Sequence, residues 1–159
     1  MSTNYIEPVD ITLWLARLAK VAQGELGSLE RSLRHAFHLV QLAPIRLRRM
    51  VRTDISEDRF EALLDAGSLD AAASCLVGLP LVLSIEAGRR AGELRADIRC
   101  ADCSTIFSGT ASCAAAAILT AWCECLSSAP DPCVERTCLA TDQDQHKGRS
   151  ERHLLSTLH

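Results

Sequence analysis

Aromatic residues are scarce in this chain: three Phe, two Trp and one Tyr in 159 residues. That poverty argues against a base-stacking platform, which needs exposed rings along a groove. Lysine is nearly absent, since arginine supplies fifteen of the seventeen basic residues. With abundant alanine and leucine, this bias points to a GC-rich bacterial genome. The N-terminus, MSTNYIEPVD, lacks the basic and apolar regions of a secretory signal. No apolar run reads as a membrane span. Residues 71–85 are too short and contain Pro80, and residues 103–123 carry six Ser, Thr or Gly before an alanine run. A spanning helix wants about twenty predominantly apolar residues. The expected location is therefore the cytoplasm, with no membrane partner and with cysteines kept as thiols. G-x-S-x-G, H-E-x-x-H, G-x-x-x-x-G-K-[ST] and G-x-G-x-x-G are all missing, so no catalytic constellation is visible and the expectation is not an enzyme.

What is present suits one domain. A chain of 159 residues with 48% hydrophobic content buries a core without covalent staples. The expected organisation is a single globular α+β domain over 1–128, predominantly helical, followed by a polar, flexible tail over 129–159. Asp10 caps a helix running towards Gly24, with Ile11, Leu15, Leu18 and Ala22 on one face. Ser28 caps a second, with Leu29, Leu33, Ala36, Phe37 and Val40 on one side. Pro44 interrupts it, and PIRLRRMVR continues as a kinked helix with proline at its first position. Asp54, Ser56, Glu57 and Asp58 open a short helix ending at Gly67, and Asp70 starts another ending near Gly78. The run 110–126, rich in alanine and apolar nearly all round, predicts a buried C-terminal helix.

Between these helices the hydrophobic period changes to two. Leu81, Leu83, Ile85 and Ala87 alternate with Val82, Ser84 and Glu86, and Leu94, Ala96, Ile98 and Cys100 alternate with Arg95, Asp97 and Arg99. Matching the apolar faces and setting Glu86 opposite Arg95 pairs Gly88 with Glu93 and leaves Arg89 to Gly92 as a four-residue hairpin loop. The helix over 110–126 is expected to cover the hairpin's apolar face, and a very short third strand over 105–107 is a candidate for one edge.

Eight cysteines invite a metal reading. Cys100 and Cys103 form a C-x-x-C pair, the weak candidates for a zinc site. A structural zinc needs four ligands. Cys123 and Cys125 are one residue apart on a helix and point to nearly opposite sides. Cys133 and Cys138 with His146 and His153 depart from finger spacing. The expectation is no bound metal and no cofactor, with Cys75, Cys113 and Cys123 acting as small hydrophobes.

The strongest charge signal is residues 31–53, which hold six arginines and two histidines without an acid. On one continuous helical frame Arg31, Arg34, His38, Arg49 and Arg52 cluster opposite the leucines, and the four arginines are the candidate contacts for an anion or nucleic acid. The bland alternative is a solvated face paired with the acidic helix starts that follow. The reading that emerges is a non-catalytic interaction or regulatory accessory protein whose partner is another protein or a second copy of this chain, as a homodimer. The alternatives are a nucleic-acid-associated protein using the arginine face and a cysteine-based zinc-binding protein.

Overall fold

The computed structural model describes residues 10–45, 47–78, 80–100 and 105–128. Among the described residues five helices and three strands follow in the order α1 (Ile11–Ala22), α2 (Leu29–Gln41), α3 (Glu57–Asp65), α4 (Leu69–Cys75), β1 (Leu81–Ala87), β2 (Leu94–Cys100), β3 (Ile106–Ala111) and α5 (Ala114–Ser128). The class is α+β and predominantly helical. Helix starts follow the capping chemistry. Asp10 accepts a hydrogen bond from the Thr12 amide at 2.8 Å, Ser28 from that of Arg31 at 3.2 Å, and Ser56 from that of Arg59 at 3.4 Å. Gly67, at φ +69°, turns the chain out of α3 so that the Ser68 amide can donate to Leu63.

The helix expected after Pro44 is not a helix. The chain leaves α2 at Leu42 and runs through hydrogen-bonded turns, with the Pro44 carbonyl accepting from the amides of Leu47 and Arg48. Proline disfavours helical geometry in the residue before it, so α2 cannot propagate through Ala43. Arg49 and Arg52 therefore do not share the frame of Arg31 and Arg34.

The second correction is β3. The segment entering the C-terminal helix forms a full strand over Ile106–Ala111, and α5 begins only at Ala114. Phe107 and Gly109 are buried while Ile106, Ser108 and Thr110 are exposed, so the segment obeys a period of two. The sheet is an antiparallel meander in the order β1-β2-β3. Glu86 lies opposite Arg95, as the charge argument required, and the Gly88 amide donates to the Glu93 carbonyl at 2.8 Å. On β3, Thr110 pairs with Arg95 and Phe107 with Ile98.

The molecule has three layers. The sheet lies on one side of α5, and α1 and α4 pack on α5 from the other. This explains why α5 is apolar on nearly every side: Ile118, Trp122 and Leu126 are completely buried. In the helical layer the Trp14 indole donates to the Leu39 carbonyl at 2.9 Å, and Phe37 stacks on Phe60 with ring centroids 4.2 Å apart. Asp70, in the first turn of α4, accepts a hydrogen bond from the Ala115 amide at 2.8 Å and so caps α5 across 45 residues of chain. Among the described residues no helix is long and apolar enough to cross a membrane.

Candidate interaction surface

A helix is about 10 Å across and neighbouring strands lie about 4.8 Å apart, so one helix covers two strands. Here α5 packs on β3 and β2, and β1 lies beyond it. The inner face of β1 was expected to be covered. Instead Leu81 is buried, Leu83 is half-buried, and Ile85 is 45% exposed. On the other face Val82 is 50% exposed.

The backbone of β1 has a fixed polarity. In an antiparallel pair, residues alternate between those whose N–H and C=O face the partner strand and those whose groups face away. The Gly88 amide points at β2, so the even-numbered positions Val82, Ser84 and Glu86 serve the β1–β2 ladder. The odd positions Leu81, Leu83, Ile85 and Ala87 then turn their backbone groups to the outer edge, which no strand among the described residues pairs. The same four residues carry the apolar inner face. β1 itself contains no proline and no lysine, the residues that commonly blunt such an edge.

The middle of the outer face carries a paired polar cluster. The Arg95 guanidinium bonds Asp97 at 2.8 Å and donates to the Ser108 hydroxyl at 3.0 Å, and lies 3.9 Å from Glu86. A hydrogen bond from Ser108, with further help from Arg95, holds the Asp97 carboxyl below its usual range. The sequence pairing of Arg95 with Glu86 was legible, but the shorter bond to Asp97 and the contribution of Ser108 were not, because the candidate third strand over 105–107 stopped short of Ser108. The alternation Ile-Phe-Ser-Gly-Thr-Ala was the available signal.

The four candidate arginines separate. Arg34 is held in a two-pronged ion pair with Glu61, with Nε 2.9 Å and Nη2 2.8 Å from its oxygens, and Nη2 lies 3.1 Å from Glu30. The bond from Arg34 in turn lowers the Glu61 carboxyl below its usual range. Arg31 is exposed one turn away on α2. Arg49 is exposed in the turns after Pro44, and Arg52 lines an open groove of about 470 Å³ that also receives Arg59, Asp54, Ile55 and Cys75. Arg52 thus shares a groove with Arg59.

Cys100 is buried at the end of β2, and Cys103 lies outside the described residues, as does the tail 129–159. Cys123 is buried, and burial pushes its thiol up to about 12. Among the described residues no three His, Cys, Asp or Glu side chains gather as a metal site. The His35 imidazole is pushed below its ordinary value by burial and by the nearby charges of Arg17, His38 and Lys20. No protein-family model, curated protein or solved structure matches this chain.

Proposed function

We propose that the chain is a non-catalytic interaction protein that binds another polypeptide by strand addition along β1. One observation carries the reading. The backbone groups of Leu81, Leu83, Ile85 and Ala87 face an edge that no described residue pairs, while the inner face of the same strand extends past α5 and leaves Ile85 45% exposed. Strand addition uses this combination: main-chain hydrogen bonds supply affinity, and alternate side chains supply specificity. A free edge beside an apolar face is otherwise a standing risk of aggregation.

The test uses a residue whose amide points outward. Ile85→Pro removes one edge N–H and leaves the β1–β2 ladder intact, because that ladder uses the even positions. Proline is tolerated on edge strands in this orientation. Wild-type chain and the Ile85→Pro variant serve as bait in lysate of the native host, with Arg31→Glu as a control on α2. The expected outcome is a stoichiometric partner retained by wild type and Arg31→Glu and lost by Ile85→Pro. Identical capture by all three baits would refute the β1 reading.

A further inference from the structure

The β1 edge is self-complementary, and from it we infer that its occupant is a second copy of this chain, joined β1 to β1 about a two-fold axis through Ser84. This rests on the strand-addition reading above and goes further by naming the partner and the register.

Consider two copies of β1 laid antiparallel. The outward backbone groups belong to the odd positions, so hydrogen-bonded pairs must join odd residues to odd residues. The register with Ser84 opposite Ser84 of the second copy does this along all of Leu81–Ala87. Leu83 then pairs with Ile85 and Leu81 with Ala87, in both directions. These are also the residues of the inner face, so the apolar faces of the two sheets become continuous and the exposed Ile85 meets Leu83 of the other copy. The two meanders merge into one six-stranded antiparallel sheet with both α5 helices on the same side. The interface is isologous, as a closed dimer requires.

Charge selects this register over its neighbours. With Ser84 on the axis, Glu86 lies opposite Val82 of the second copy, and the next residue in that row is Arg99, which is exposed. Glu86 is 3.9 Å from Arg95 in its own chain, and its side chain is 64% exposed. It therefore sits between two guanidiniums, with the half-exposed Val82 bridging to the second. Two strand spacings are about 10 Å, within the combined reach of an arginine and a glutamate. A slip of two residues one way sets Glu86 opposite Ser84, in the row of Asp97, which brings like charges together. A slip the other way moves Glu86 beyond the strand, opposite Pro80. Only the fully overlapped register satisfies the ladder, the apolar face and the charges at once.

The axis supplies its own probe. Ser84 and its mate form a non-hydrogen-bonded pair, whose Cα atoms lie about 4.5 Å apart. That is inside the range a disulfide spans, roughly 4.4–6.8 Å. Full-length Ser84→Cys, Val82→Cys and Glu86→Cys are each oxidised mildly beside wild type, which controls for the eight native cysteines. Products are mapped by peptide mass spectrometry, and wild type is weighed by sedimentation equilibrium up to about 100 µM, a concentration at which a dimer with a Kd of about 100 µM or tighter is detected. The expected result is a mass approaching twice 17.3 kDa, an 84–84 disulfide in most of the Ser84→Cys chains, and at least tenfold less self-linkage at positions 82 and 86. Ile85→Pro, checked by circular dichroism to be folded, should sediment as a monomer.

A clean monomer at every concentration, with no 84–84 disulfide, overturns the second-copy proposal. If Ile85→Pro still loses a captured host partner in that case, the strand-addition reading stands with a different occupant. A dimer that links more readily through position 82 or 86, or that survives Ile85→Pro, overturns the register and the interface together.

Discussion

Gly109 is where the sheet and its covering helix come closest, and replacing it with alanine tests the whole layer arrangement. Its φ is not positive, so its role is spatial rather than conformational. A methyl group at this position would stand 2.5 Å from the Ala121 nitrogen and 2.8 Å from the Thr120 Cβ, and closer still to the Ala117 carbonyl oxygen. Two of these three atoms are backbone in the middle of α5 and cannot swing away. Restoring ordinary carbon contacts of about 3.5 Å requires α5 to retreat by about 1 Å from β3. That opens gaps around Ile118 and Trp122, both completely buried. Overpacking of this kind costs about 1–3 kcal/mol, and steric conflict with backbone puts Gly109→Ala near the upper end. Loss of glycine's freedom in the unfolded chain returns about 0.4–1 kcal/mol. The net expectation is about 2 kcal/mol of destabilisation, a thermal midpoint lower by roughly 6–10 °C. Gly92→Ala is the matched control: φ is +77° and nothing lies within 4 Å, so only a local conformational cost of about 1–2 kcal/mol arises, in the hairpin loop. Circular dichroism melts of both variants in reducing buffer provide the measurement, with urea titration to confirm that the slope is unchanged. A Gly109→Ala midpoint within 1 °C of wild type, or above it, would refute the close approach of α5 to β3.

Three further outcomes follow from the same packing. Asp70→Ala removes the acceptor for the Ala115 amide and should cost about 1 kcal/mol in urea unfolding, while Asp70→Asn, which keeps an acceptor, should cost less than half of that. Cys123, with its thiol raised to about 12 by burial, should resist an aromatic disulfide reagent at pH 8 in the native protein and react only on unfolding; labelling as fast as that of half-buried Cys113 would contradict its environment. Acid should destabilise the fold in two stages. His35 has a folded value below its ordinary 6.5, so the stability linked to its neutral form is present above that value and declines as pH falls from there towards the folded value. Asp97 and Glu61, lowered from 3.8 and 4.5, contribute stability that is present above those values and lost as pH falls through their folded values. Glu61→Gln should flatten the second stage, and a midpoint independent of pH from 7 down to 3 would contradict both.

Local signals explain which parts of this fold could be read in advance. Asp10 and Ser28 cap the helices they were expected to cap, and Ser56 caps the helix whose acidic start was read over 54–58, because a hydroxyl or carboxylate reaching the second or third amide is a property of three or four neighbouring residues. The hairpin register was legible for the same reason: a short loop fixes the pairing, and Glu86 opposite Arg95 agrees with it. β3 was legible only as a very short candidate over 105–107, since Gly109 and Ala111 supply so little hydrophobic contrast that the rest of the run blends into the alanines of α5. Glycine is there to admit the α5 backbone, a requirement set by a helix that lies later in the chain. The helical frame of the basic stretch broke at one residue. A wheel drawn through Pro44 places four arginines on one helix that the chain ends at Gln41, and Glu61, 27 residues further on, pairs with Arg34.

The uncovered strand has a cause in the proportions of the fold. One helix spans two strands, and this sheet has three. A second helix on the same face would complete the layer, yet α1 and α4 are committed to the opposite side of α5, where its apolar surface continues. A helix apolar on one side only would have left α1 and α4 without a partner; a helix apolar all round draws them away from the sheet. The composition of α5, with completely buried Ile118 and Leu126 and no charged residue except Glu124, thus sets the width of the uncovered shelf at one strand. Doubling the sheet across β1 widens the inner face to six strands for two helices, leaving a trough two strands wide between them. Direct contact of Leu83 with Ile85 across the axis narrows the exposed part of that trough, and the ladder closes the edge that the described residues of the single copy leave open. The argument therefore ties an assembly property to residues that never touch the interface: introducing a lysine on the sheet-facing side of α5 would loosen the cover of β2 and β3 without altering the β1 edge, whereas Ile85→Pro alters the edge and leaves α5 in place.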